Sequence, residues 1–555
     1  MGERSLIVQA VRALCLALCL TPIAFAGSPA SAVTSPEPLP ARFMWGIGGA
    51  PGFDAEMGGG PAYSDRNSDW WAWTHDKSNI AAHRVSGDLP EKGPGGFKIG
   101  YAADISNAKA LGVNTWRMGI EWSRIFPKST ASVKVGAGVT LTNLKALDKL
   151  ASKAAVAKYT SIIKAVRKAG MKPFVLANTY TLPLWVHDPF RVRAALAGVA
   201  PDAPVPAGLS KAGWLSTATI SEFRKYTAYL AWKFGGQVDW WAPLNEPSVN
   251  AIYGYLNIPG VFVGNFPPAV YSFTATKAAL INQGLANAAG YDAIHAWDKV
   301  DSDGDGKASK VGLVHNMIHF TPSDTSSPTD VAAVDHADQI FNRMFPDAAV
   351  RGFYDNNGNG TPDPGETNPS LAGKADFFGV NYYFRGRVKG LGFALSSTSP
   401  ILDFLPQTGY RWSGNPLAPA CPTECSDFGA EIDPDGLGSV LRQASTYGKP
   451  LIVTENGIAD TSDAKRPAFL VRHVNQVAQV AAQRPNGMRV LGWFAWALTD
   501  NYEWVHGFTP KFGLYSFNPK TLKRTARASA AVYRRMAVAN AIPGDLIDRY
   551  VVRTP

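Results

Sequence analysis

The sequence predicts a single closed (β/α)8 barrel of the α/β class, and three observations carry that expectation. Eight short apolar, β-prone runs are spread along the 555 residues. Amphipathic helical patterns lie between several of them, an alternation that marks βα units in a parallel sheet. The composition, 46% hydrophobic and 18% charged, suits a large folded core rather than a disordered chain. Eight such units in a chain of this length favour closure over an open doubly wound sheet.

In chain order the strands are expected at residues 43–48, 113–120, 172–179, 238–245, 311–318, 376–382, 451–455 and 488–496. Helical patterns at 159–169, 221–234 and 469–483 end at Gly170, at Gly235 and near Pro485-Asn486-Gly487, which are residues that stop helices. Two long connections, 49–100 and 383–434, are rich in Gly, Pro, Trp and Asp. Barrels elaborate the loops at the C-terminal ends of their strands, so both are expected to roof a pocket there.

Ahead of the barrel, Arg4 and Arg12 lead into an apolar stretch at 13–25, with small-residue patterns at Ala24-Phe25-Ala26 and Ala30-Ser31-Ala32. This reads as a signal peptide over 1–32, hence a secreted or periplasmic protein. The large Leu18 disfavours a lipid anchor on Cys19. Pro36, Pro38 and Pro40 make 33–40 a stiff linker, the folded domain is expected over 41–548, and 549–555 form a tail.

A formal charge of +10 comes without a Lys/Arg run interleaved with aromatics, so it is read as solvated surface rather than a nucleic-acid site. After the N-terminus no apolar run is long enough to span a bilayer, so no membrane association is expected once the signal is removed. The 16 Trp and 19 Tyr exceed what packing asks for and suit the apolar faces of sugars. Of four cysteines, Cys15 and Cys19 fall in the signal, and Cys421 and Cys425 can close a small disulfide loop in an oxidising compartment. A zinc site there lacks two further ligands.

Two glutamates stand where an apolar run meets its loop: Glu246 in Leu244-Asn245-Glu246-Pro247 and Glu455 in Thr454-Glu455-Asn456-Gly457. Strand ends of a parallel barrel share one face, so the two can meet across one pocket. Facing carboxylates are the minimum apparatus for cutting a glycosidic bond, one donating a proton and the other staying charged.

Further motifs lie in order between residues 42 and 548: Glu56-Met57-Gly58, Val85-Ser86-Gly87-Asp88-Leu89-Pro90-Glu91, Glu121-Trp122-Ser123-Arg124-Ile125-Phe126-Pro127, Leu182-Pro183-Leu184-Trp185, Gly379-Val380-Asn381-Tyr382-Tyr383 and Asp500-Asn501-Tyr502-Glu503-Trp504. With the two glutamate motifs, they resemble glycoside hydrolase family 1, and most nearly its archaeal type of β-glycosidase. The resemblance implies Glu246 as general acid/base and Glu455 as nucleophile of a retaining mechanism, in which the carboxyls lie about 5 to 5.5 Å apart. It implies that Arg117 and Tyr383 keep the nucleophile ionised and that Asn245 binds the sugar 2-hydroxyl. Trp496, Glu503 and Trp504 resemble the floor and polar clamp of the non-reducing sugar.

Two positions depart from the family. Ala50 stands where a Gln is usual and Thr179 where a His is usual, which leaves the accepted sugar open; Tyr180 or Asn178 can compensate. No cofactor is expected for catalysis. A structural Ca2+ is expected from Asp355, Asn357, Asn359, Thr361, Asp363 and Glu366, which follow the spacing of a calcium loop with Gly360 at its turn. Asp301, Asp303 and Asp305 begin a second such loop, with Gly312 where the last ligand belongs.

The expected activity is hydrolysis of terminal β-linked sugars from small glycosides or oligosaccharides. The alternatives are a transglycosidase using the same glutamates and a carbohydrate-binding barrel with little turnover. Oligomeric state is undetermined by sequence.

Overall fold

The computed structural model describes residues 38–49, 52–259 and 262–552. The segments expected as signal peptide and most of the expected linker, Ala50 and the last three residues lie outside them. The first strand, Met44–Gly48, pairs in parallel with the second, Thr115–Gly119, and with the eighth, Val490–Ala495. The second pairs with the third, Lys172–Leu176, and the third with the fourth, Trp240–Ala242. The fifth strand begins as Lys310–Val311 against the fourth and continues after Gly312 as Leu313–Asn316 against the sixth, Phe378–Tyr382. The sixth pairs with the seventh, Leu451–Asn456, and the seventh with the eighth, which closes the barrel.

Gly312 permits the change of partner within the fifth strand. A Cβ there would lie 2.2 Å from the Phe377 ring, so no larger residue fits without moving the neighbouring strand. Inside the barrel Met44, Phe174, Leu176, Val314, Phe377, Ile452 and Phe494 pack into one apolar plug. Burying each of the larger ones is worth roughly 1.5–3 kcal/mol. A second, larger cluster seals the helices against the outside of the strands.

All eight expected strands occur, several with shorter ends, because residues such as Asn178 and Asn245 leave the ladder to form the rim. The expected helices begin earlier than their apolar periodicity. They are Lys153–Lys168, Thr217–Phe234 and Arg466–Gln483. In the first two, Ser152 and Ser216 cap the start by accepting the amides of Ala155 and Ala218 at 3.3 Å. First turns built of small residues, Ala154 and Ala155 in one and Thr217, Ala218 and Thr219 in the other, hide the start from a reading based on hydrophobic period.

The connection 383–434 is not the plain loop the sequence suggested. Its strands Arg385–Gly390 and Phe404–Gln407 form a three-stranded sheet with His319–Pro322. Ion pairs pin it: Arg387 to Glu431 at 2.7 Å and Arg385 to Asp433 at 2.9 Å. Cys421 and Cys425 are bonded as a disulfide, as expected. Among the described residues no helix is long and apolar enough to cross a membrane.

Candidate active site

Strand ends and roof together enclose a cavity of about 1170 Å³, lined among others by Glu246, Glu455, Arg117, Asn245, Thr179, Tyr180, Tyr383, Trp496, Glu503 and Trp504. These ten residues, singled out in the sequence for catalysis or sugar binding, therefore meet in one place; Asn178 does not line it.

Glu246 follows the fourth strand and precedes the helix Pro247–Tyr255 in a left-handed conformation, φ 48° and ψ 57°. A non-glycine residue held there carries strain of about 1–3 kcal/mol, a cost found where a side chain must point one way. The turn is fixed by the Glu246 amide, which donates to the Val314 carbonyl at 3.0 Å, and by Pro247 at the first helical position, where no amide is needed. The Glu246 side chain does not cap the helix. Its Oε1 accepts from Asn381 Nδ2 at 2.6 Å and Asn316 Nδ2 at 3.2 Å, and its Oε2 accepts from the Tyr180 hydroxyl.

Glu455 sits on a register shift between the sixth and seventh strands, after Val453. Such bulges re-aim a side chain. Arg117 Nη2 donates to Glu455 Oε1 and, at 2.7 Å, to Asn245 Oδ1, while the Tyr383 hydroxyl donates to Glu455 Oε2. The Arg117 guanidinium also lies over the Trp496 ring, 5.5 Å from its centroid.

The two carboxyls thus have unequal company. Burial pushes Glu455 up, the Arg117 charge opposes it, the Glu246 carboxyl adds to the rise and the Tyr383 bond lowers it. Like charges sharing a site cannot both ionise cheaply, so the cation decides where the negative charge rests. Arg117 is aimed at Glu455, whereas the donors to Glu246 are two amides and a phenol.

Trp504 forms an aromatic wall, stacked on Phe53 at 5.7 Å and edge-on to Tyr180 at 4.7 Å. Glu503 accepts from Asn501 Nδ2 at 3.0 Å, and burial first of all raises its carboxyl to about 7.

Two residues expected to meet the sugar directly are otherwise engaged. Thr179 turns its hydroxyl to Glu121 Oε1 at 3.2 Å, and Tyr180 gives its hydroxyl to Glu246. Ala50 lies outside the described residues.

Sequence reasoning did not assign Asp54, Asn316 or Asn381 to the site. Asn381 stood inside a quoted motif at a strand end, which was a usable signal. Asp54, on the short helix Phe53–Glu56, had none.

None of the nine candidate metal ligands lines this cavity. Asp355 and Glu366 are buried. Asp355 accepts from Gln339 Nε2 at 3.0 Å and the Gly360 amide at 2.7 Å, and Glu366 Oε1 accepts from the Asn356 amide at 2.7 Å. Asn357 and Asn359 both donate to Asp363 Oδ2, at 2.6 and 2.8 Å. Thr361 turns its hydroxyl to Asn359 Oδ1 at 2.9 Å. In the other loop, Asp301 and Asp303 converge with Asp239, which the sequence had not suggested, their oxygens lying within 4.8 Å of one another. Lysines already serve that loop: Lys172 bonds Asp303 at 2.8 Å, and Lys310 bonds Asp303 at 3.4 Å and Asp305 at 2.8 Å.

Comparison with known proteins is consistent over nearly the whole chain. The model of glycosyl hydrolase family 1 matches residues 203–542. A β-galactosidase of Pyrococcus woesei is 36% identical over 522 residues, covering 90% of this chain and 97% of that protein. A β-galactosidase of Saccharolobus solfataricus is 36% identical over 518 residues, covering 91% and 96%. The crystal structure of the β-glycosidase from the hyperthermophile Thermosphaera aggregans superposes with a TM-score of 0.79 at 36% identity, covering 93% of this chain and 100% of that one.

Proposed function

The chain belongs to glycosyl hydrolase family 1 and is a retaining β-glycosidase, and from that premise we propose that Glu455 is its nucleophile and Glu246 its general acid and base. The observation that carries the assignment is the asymmetry of partners: Arg117 and Tyr383 on Glu455, neutral amides and a phenol on Glu246.

Glu455 attacks the anomeric carbon while Glu246 gives its proton to the glycosidic oxygen, so the aglycone leaves as an alcohol and the sugar stays esterified to Glu455. Glu246, now ionised, takes a proton from water as that water attacks the same carbon, and Glu455 departs as a carboxylate. Asn245, fixed by Arg117 and Asn381, is placed to bond the 2-hydroxyl, a contact that strengthens as the oxocarbenium-like charge develops. Arg117 and Tyr383 stabilise a charge that reappears when the nucleophile leaves, a demand that binding alone does not make.

The substrates proposed are small glycosides or oligosaccharides with a terminal β-linked sugar, cleaved by one catalytic unit over residues 41–548. Secretion is proposed from the charged and apolar N-terminal segment, and the Cys421–Cys425 disulfide supports an oxidising compartment. A structural calcium is proposed for the 355–366 loop, where Asp355, Asn357, Asn359, Thr361, Asp363 and Glu366 supply hard oxygens and where Asp355 and Glu366 are buried.

The test is a panel of aryl β-glycosides (glucoside, galactoside, mannoside, fucoside, xyloside, glucuronide) given to wild type, Glu455→Gln and Glu246→Gln. Wild type should hydrolyse at least one with retention, and Glu455→Gln should lose nearly all of that turnover. Glu246→Gln should lose most where the leaving group is a poor one. Undiminished turnover by Glu455→Gln would overturn the assignment, and added alcohol giving alkyl glycosides in place of free sugar would identify transfer as the main reaction.

A further inference from the structure

One carboxylate of the cavity has no part in the hydrolytic scheme. Asp54 is 9% exposed, lines the cavity, and among the described residues receives a side-chain hydrogen bond from its own amide alone. It sits beside Thr179 across two glycines. A Cβ on Gly52 would come within 2.9 Å of Asp54 Oδ1, and one on Gly119 would lie 3.4 Å from both Gly52 Cα and Thr179 Oγ1. The missing side chains of those glycines let a buried, underused acceptor approach the backbone closely at the cavity wall. Glu503 offers a second one, with Asn501 as its donor, and Asp54 is near enough for its charge to act on both Glu503 and Glu455.

The charge balance of the cavity is lopsided. Asp54, Glu246, Glu455 and Glu503 face a single deep cation, Arg117, and Arg117 is committed to Glu455. The other cations of the lining, Lys389 and Arg411, belong to the roof segment, and burial keeps His506 neutral. A sugar hydroxyl can donate to Asp54 and Glu503 but adds no positive charge to that of Arg117, the one deep guanidinium acting on Asp54. An ammonium group supplies both donors and charge, and a buried carboxylate repays its desolvation only with such a partner.

We propose that this cavity takes an amino sugar as its glycone, with the ammonium at C3, C4 or C6 held by Asp54 and Glu503. The proposal rests on the glycosidase reading above and names the substrate class of that site. The C2 position falls instead to Asn245, which Arg117 and Asn381 already hold.

The experiment compares p-nitrophenyl β-glucoside and β-galactoside with their 2-, 3-, 4- and 6-amino-deoxy counterparts, on wild type and Asp54→Asn, near neutral pH. A 3-, 4- or 6-amino glycoside should show kcat/KM about tenfold or more above its hydroxyl parent, and Asp54→Asn should lower that ratio by about tenfold. The wild-type ratio stands even if the variant folds poorly. Competitive inhibition by the free amino sugar against its parent sugar gives a second reading of the same preference. Preference for the hydroxyl parents, preference for the 2-amino compounds alone, or a ratio unchanged in Asp54→Asn would overturn the proposal and leave the family reading intact. No turnover of any compound would overturn both.

Discussion

Asn381 donates a 2.6 Å hydrogen bond to Glu246 Oε1, and the same nitrogen lies 3.2 Å from Asn245 Oδ1. Its own carbonyl oxygen is fixed by the Thr454 hydroxyl at 2.7 Å, one residue before Glu455. A single amide at the end of the sixth strand therefore ties the fourth strand's glutamate to the seventh strand's. Asn381→Ala should lower kcat/KM by about tenfold to hundredfold, the range for a lost hydrogen bond to a charged or reacting carboxyl. The loss should be larger for alkyl than for nitrophenyl glycosides, because only a poor leaving group depends on a well-aimed proton. Measuring kcat/KM across leaving groups checks this; a loss equal for all of them would indicate disturbance of the sugar site instead.

Arg117 opposes the upward push of burial on Glu455. Removing its charge, as in Arg117→Met, should move that carboxyl further up. The ionised nucleophile then forms only at higher pH, so the acid limb of the kcat/KM profile should shift upward by about one to three pH units. Activity at the new optimum should also fall, since Asn245 loses its 2.7 Å partner. An acid limb that stays in place would mean that another group titrates there.

Stability should fall as pH rises through the mildly acidic range. Burial raises the Asp54 carboxyl from 3.8 to about 6, and likewise raises Glu56 and Glu503 from 4.5 to about 7. The folded chain holds these protons more tightly than the unfolded chain, so their stabilisation is complete below the unfolded values and is lost as pH passes the folded ones. Asp54→Asn abolishes one such loss. It should match wild type near about pH 4 and exceed it near about pH 8, by about 1–3 kcal/mol. Thermal unfolding at both pH values reads the difference, and a gain no larger at the higher pH would contradict it.

The barrel was legible because its eight strands are continuous apolar runs, and the glutamates because a strand end is a fixed address in such a barrel. Asp54 was not legible. Its helix Phe53–Glu56 is one turn long, and only the packing of Phe53 against Trp504 and the gap left by Gly52 and Gly119 turn its carboxyl inward. Tyr180 lines the cavity, but its hydrogen bond to Glu246 was not legible, since no local pattern says which neighbour a phenol at a rim will meet. Side chains whose position depends on three or four separate segments leave no periodic trace in any one of them.

The 355–366 loop offers the last test. Burial raises the Asp355 carboxyl, and Glu366 adds to the rise through its charge. Two buried carboxylates so close are costly unless a cation joins them; their hydrogen-bond donors are amides, from Gln339, Asn356, Asn359, Gly360 and Asp363, and the Lys277 ammonium acts on them through its charge without a hydrogen bond to either. Calcium would bind the folded loop and not the unfolded chain, so it should raise the melting temperature by mass action, with a gain of about 2.7 kcal/mol when free calcium is about a hundredfold above its dissociation constant. Chelation should lower the melting temperature and added Ca2+ should restore it, while Glu366→Gln should lose most of the response. Hydrolysis of an aryl glycoside below the melting temperature should change little on chelation, because none of the loop's ligands lines the active-site cavity. A melting curve indifferent to both chelator and Ca2+ would leave the loop as a hydrogen-bonded turn, closed by its own amides.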